Sequence, residues 1–117
     1  MRRLISCSVV VLLLAPAASF AQDRGKSKEQ VEFGIKVAQN NLWNEALYRW
    51  EKATQLDPTY AAAWNNLAIA YEHEGELDKA RAAYEKALEL EPDNTFIKQN
   101  YELFREINDR TTRPDTQ

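Results

Sequence analysis

Two segments of this chain are nearly the same, and 34 positions separate them. Trp50-Glu51-Lys52-Ala53-Thr54-Gln55-Leu56-Asp57-Pro58 returns as Tyr84-Glu85-Lys86-Ala87-Leu88-Glu89-Leu90-Glu91-Pro92. An aromatic, an Ala, a Leu and a Pro recur at identical offsets. A fixed period of this length is the signature of a helical repeat array, in which each unit buries its apolar face on its neighbours. Function in such a chain is expected in a surface rather than in a reaction centre.

Further residues extend the repeat. Ala46 and Ala80 stand one helical turn before Trp50 and Tyr84, and Trp64-x-x-Leu67-Ala68-x-x-Tyr71 precedes the second copy. Together these resemble the tetratricopeptide repeat, W-x2-L-G-x2-Y followed by A-x3-F and P. One copy spans about 27–60 and the other about 61–94. The second fits closely, with Ala68 where Gly is usual. The first has Gln30 for Trp and Val37 for Tyr but keeps Phe33 and Gly34. The resemblance implies an all-α fold, a short right-handed α-solenoid of two helix-turn-helix hairpins.

The periodicity agrees with this on its own terms. Trp64, Leu67, Ala68 and Tyr71 fall at i, i+3, i+4 and i+7 on one helix face, as do Ala80, Tyr84 and Ala87 on the next helix. Small residues at 68, 80 and 87 allow close helix approach, and Trp50, Trp64, Tyr71 and Tyr84 are expected in the core. Trp43 is expected to pack within its hairpin. Asn41 and Gly75 hold matching turn positions and are expected in the left-handed conformation. Pro58 and Pro92 stop the helices before them.

Charges mark both ends of the array. Ala63 and Ala70 of the second copy correspond to Glu29 and Lys36 of the first, which gives the first repeat a polar outer face. A fifth helix over 95–109 has an apolar face of Ile97, Tyr101, Phe104 and Ile107. It carries Lys98, Glu102 and Arg105 where Trp64, Ala68 and Tyr71 stand in the second copy, so it reads as a lone C-terminal capping helix. The polar stretches 22–27 and 110–117 are expected to be a disordered linker and tail.

The first 21 residues read as a secretory signal peptide. Arg2-Arg3 are followed by an apolar run from Leu4 to Leu14, then by small residues, with cleavage expected after Ala21 and, as second choice, after Ala18. A retained anchor and a lipoprotein box around Cys7 are the alternatives. Pro16 and the interspersed Ser residues disfavour the anchor, and the apolar run follows Cys7 rather than preceding it. The layout is bacterial in type, so the expected location is the periplasm. Cleavage removes the only cysteine and moves the net charge from −3 to about −5 by taking Arg2 and Arg3 away. An acidic domain without a basic stripe is not expected to bind nucleic acid, nor to insert in a membrane once the segment is gone.

Little in the chain suggests chemistry. His73, the sole histidine, stands among Glu72, Glu74 and Glu76 at a helix end. One imidazole is too few for a structural metal site, which takes about four ligands. No nucleophile–base set or phosphate loop is present, so neither an enzyme nor a cofactor is expected.

The family resemblance places the binding surface on the concave face of the first helices of each repeat. There it implies a partner-binding groove of Lys28, Val31, Ile35, Asn65, Asn66, Ile69, His73, Gln99, Asn100 and Leu103. Asn66 matches a residue of the family's carboxylate clamp, but Val31 replaces its first Lys, and Phe96 and Asn100 replace its later basic pair. A mixed apolar and amide groove for a peptide segment or helix of another protein is therefore expected. A self-associating subunit of an envelope assembly is the alternative.

Overall fold

The computed structural model describes the backbone of residues 17–111 and the side chains of residues 23–110. Among these residues the chain forms five α-helices and no strand: α1 (Ala17–Gln39), α2 (Trp43–Leu56), α3 (Ala61–His73), α4 (Leu77–Leu90) and α5 (Thr95–Thr111). The pairs α1/α2 and α3/α4 are antiparallel-type hairpins, and α5 packs on α4. α1 also meets α3, which puts α1, α3 and α5 in one layer and α2 and α4 in the other. This is the expected stack of two hairpins and a terminal helix.

Both hairpin turns are built the same way. Asn41 (φ 64°) and Gly75 (φ 76°) adopt the left-handed conformation, as their positions predicted. The Leu42 N–H donates to the Val37 carbonyl and Asn41 N–H to that of Ala38; Glu76 and Gly75 donate likewise to Tyr71 and Glu72. These paired bonds satisfy the last carbonyls of each first helix and reverse the chain in three residues. Asn41 adds a second role, since its Oδ1 accepts the Trp43 Nε1–H at 3.1 Å.

The repeats join through a different device. α2 and α4 end at Leu56 and Leu90, two residues before Pro58 and Pro92. At the first junction Asp57 Oδ1 accepts the Thr59 N–H at 3.0 Å, and at the second Asn94 Oδ1 accepts the Ile97 N–H at 3.1 Å, opening α5.

Small residues set the helix spacing. Ala46, Ala53, Ala63 and Ala70 are buried with Trp50 and Leu67 between the two hairpins, and Ala68, Ala80 and Ala83 with Tyr84 and Phe104 between α3, α4 and α5. Trp64 and Tyr71 are only half-buried, packed against the rims of these clusters. The Trp64 indole donates to the Pro58 carbonyl at 2.9 Å, which holds its polar edge at the surface. Trp43 does more than pack within its hairpin. Its ring stands edge-on to Trp50 and stacks on His73, with centroids 4.1 Å apart, so it ties the start of α2 to the end of α3.

Two expectations about the chain ends need correction. Residues 22–27 are not a disordered linker but part of α1. Arg24 forms an ion pair with Asp57, donates to the Thr59 hydroxyl and carbonyl, and lies over the Tyr60 ring. The fully buried Ser27 hydroxyl donates to the Ala53 carbonyl at 2.8 Å. A polar segment is thus ordered by long-range bonds that composition does not reveal. The capping helix continues past residue 109 to Thr111, so only 112–117 of the expected tail fall outside the described residues. At the other end, the expected leader lies outside them up to residue 16, and its cleavage point after Ala21 falls within α1.

Candidate protein-binding face

The layer of α1, α3 and α5 carries the residues expected in a groove, and their fates differ. Val31 is 4% exposed and belongs to the core with Trp50 and Leu67, so it does not line an open surface. It packs against α2 of its own hairpin, where its carbonyl accepts the Trp50 indole N–H. Asn65 is likewise buried, at 2% exposure, and its Oδ1 accepts the Asn100 Nδ2–H at 3.1 Å. That bond ties α3 to α5 across the floor of the layer. Asn66 donates to the Ala62 carbonyl one turn earlier, at 3.0 Å. These three amides are therefore spent within the fold.

Other residues do remain open. Lys28, Ile35, His73, Gln99 and Leu103 are exposed, and Ile69 is half-buried. Ile35, Ile69 and Leu103 are spaced 34 apart and hold one register on the three helices of this layer, which makes an apolar row across it. On α5 the row widens: Phe96, Leu103 and Ile107 share a face and are 62%, 57% and 53% exposed. The sequence reading placed Ile107 on the cap's packing face. It is Ile97 and Phe104 that are buried there, with Tyr101 beside them, and Ile107 turns outward by about 60° of helix rotation from Phe104.

The two ends of the stack differ in polarity. Lys98, Glu102 and Arg105 are exposed on the outer side of α5, and Glu29 and Lys36 on the outer side of α1. The α1 end is not wholly polar, however. Phe33 is exposed beside Glu29 and Lys36, and the Arg49 guanidinium lies 4.3 Å from its ring centre and 5.6 Å from that of Tyr48.

Electrostatics around the face are structural. Burial raises the Tyr84 hydroxyl pKa well above the ordinary phenol range, and its hydrogen bond to the Glu72 carboxylate raises it further. For Asp57, burial acts to raise the pKa, but hydrogen bonds from Thr59 and Arg24 outweigh it and hold the carboxyl below 3.8. Among the described residues no group of three or more His, Cys, Asp or Glu side chains is arranged to hold a metal ion.

A two-layered stack of helical hairpins with an exposed inner row is the architecture of a helical repeat protein. Residues 61–94 match the tetratricopeptide repeat model, and residues 37–74 match an overlapping TPR repeat model. The TPR domain of Arabidopsis OM64 shares the fold, with a TM-score of 0.68 over 75% of this chain and 73% of that one at 22% identity. Residues 37–94 are thus similar to tetratricopeptide repeats, and the structural likeness extends the agreement in fold to most of the chain.

Sequence relatives share the repeats. Protein O-mannosyl-transferase TMTC1 of Mus musculus is 39% identical over 67 residues, 57% of this chain and 7% of that protein. The tetratricopeptide repeat domain-containing protein PYG7, chloroplastic, of Arabidopsis thaliana is 36% identical over 61 residues, 52% of this chain and 20% of that one. The uncharacterized protein ycf37 of Pyropia yezoensis is 44% identical over 45 residues, 38% of this chain and 25% of that one. The chain thus spans a quarter or less of the length of these relatives.

Proposed function

We propose that this chain is a non-catalytic adaptor that holds a segment of another protein against the α1–α3–α5 layer. Tetratricopeptide repeats generally mediate protein–protein interaction. The observation that carries the reading here is the apolar row. Phe96, Leu103 and Ile107 are each more than half exposed, while the outer side of α5 is charged. An exposed apolar strip bordered by polar residues is what a docking surface requires. The transferase named among the relatives shares only the repeat region with this chain, and we propose no transferase activity for it. Because the groove is pre-formed on packed helices, little ordering would oppose binding.

The second reading is self-association, favoured by Phe33 and Tyr48 exposed at the α1 end. Export to the periplasm, with cleavage after Ala21, is part of the proposal and rests on the sequence of residues 1–21. A photo-reactive side chain at Leu103, compared with one at Lys98 on the outer face, tests the adaptor in native cells. A cross-link to a foreign protein from position 103 alone supports it. A cross-link only to a second copy of the chain, with mass rising with concentration, transfers the case to self-association. Amino-terminal sequencing of the cell-derived protein tests the cleavage.

A further inference from the structure

We infer that the occupant of this face is a cationic amphipathic helix rather than an extended peptide, an inference that rests on the adaptor reading above. The first argument is hydrogen bonding. An extended chain leaves its backbone N–H and C=O groups to be satisfied by the surface that receives it, whereas a helix satisfies its own. The amides best placed on the floor are already committed: Asn100 to Asn65, and Asn66 to the Ala62 carbonyl. Freeing them would leave the buried Asn65 carbonyl oxygen without its partner. What the middle of the face presents is apolar: Ile69 between Ile35 and Leu103.

The second argument is charge complementarity. Each residue of the apolar row has a carboxylate three positions away on the same helix: Glu32 before Ile35, Glu72 after Ile69 and Glu106 after Leu103. Residues at that spacing are neighbours on a helix surface, so the row is bordered by an acid on every helix that forms it. Glu72 accepts the Tyr84 hydroxyl hydrogen. Glu106 is bonded to Arg110, in a pair exposed on both sides and therefore weak and exchangeable. Lys28 stands two turns from Ile35, at the far edge. A ligand helix with Leu-like residues along one stripe and Lys or Arg beside it matches both the row and its border.

The test uses the full chain and synthetic peptides of about 18 residues, about five helical turns. One peptide carries an apolar Leu stripe with Lys elsewhere. A second has the same composition interrupted by two central prolines, and a third replaces every Lys with Glu. Binding is read by fluorescence anisotropy against the native chain and against Ile35→Asp and Leu103→Asp, both at exposed positions. Circular dichroism of the variants checks that they remain folded. The expected result is binding of the Lys peptide, weakened at least tenfold by either substitution, by the prolines and by the change to Glu. Equal binding of the proline peptide, still weakened by the substitutions, overturns the helical occupant while leaving the face as a docking site. Equal binding of the Glu peptide overturns its cationic character. Binding indifferent to both substitutions, or no binding by any peptide, overturns the inference and the adaptor reading together.

Discussion

At Gly34 an added Cβ would stand 2.3 Å from Trp50 Nε1 and 2.7 Å from Cδ1. The indole cannot retreat, because it is buried and donates to the Val31 carbonyl at 3.1 Å. Gly34→Ala is expected to destabilise the fold by about 1–3 kcal/mol, read as a lower urea midpoint. The sequence pattern marked Gly34 as a family position but gave no reason for it; the reason is a single ring 16 residues further on. Asp57 carries the other residue-scale prediction. Its folded pKa lies below 3.8, so the unfolded chain takes up the proton first as pH falls. Its contribution is complete above pH 3.8 and is lost as acidity passes through the lower folded value. Asp57→Asn is expected to lower stability at pH 7 by about 1 kcal/mol and to flatten the acid limb, since Arg24 is half-exposed and its charge partly screened. Urea unfolding from pH 7 to pH 2 checks it.

Helix by helix, the pattern reading succeeded where residues act through a repeated neighbour and failed where they act once. The turns at Asn41 and Gly75, the stops before Pro58 and Pro92, and the alanine contacts all recur at one spacing, so each copy informed the other. The start of α1 has no such echo: Arg24 corresponds to Pro58, and the buried Ser27 to the buried Ala61. Its anchors lie more than 25 positions away, in Ala53, Asp57 and Thr59. The floor of the α1–α3–α5 layer was misread for a similar reason. Asn65 resembles an available amide until Asn100 is seen to occupy it. Arg24→Ala is expected to raise amide exchange across residues 23–27 at least tenfold while leaving α3 unchanged, which exchange measured by mass spectrometry would show. Ser27→Ala should cost about 1 kcal/mol or less, because the Ala53 carbonyl keeps the Asp57 N–H as a donor.

As a whole, the molecule is a linear stack in which stability depends on the number of neighbours each helix has. α3 lies between the first hairpin on one side and α4 and α5 on the other, and has six buried residues. Among the described residues α5 has neighbours on one side only, with Ile97 and Phe104 its two fully buried side chains. Amide exchange is therefore expected to be slowest in α3 and fastest in α5, with the hairpins between. Equal protection of α3 and α5 would mean that the stack opens as one unit. The three tryptophans sit at three different places in this stack. Trp50 is enclosed at the α1/α2 contact, Trp64 lies at the rim near Pro58, and Trp43 lies flat on His73 where one hairpin meets the next. An imidazole stacked on an indole alters its emission, so a chain retaining Trp43 alone would brighten or dim as the hairpins part. The contact between the hairpins thus carries its own optical gauge, readable without a dye.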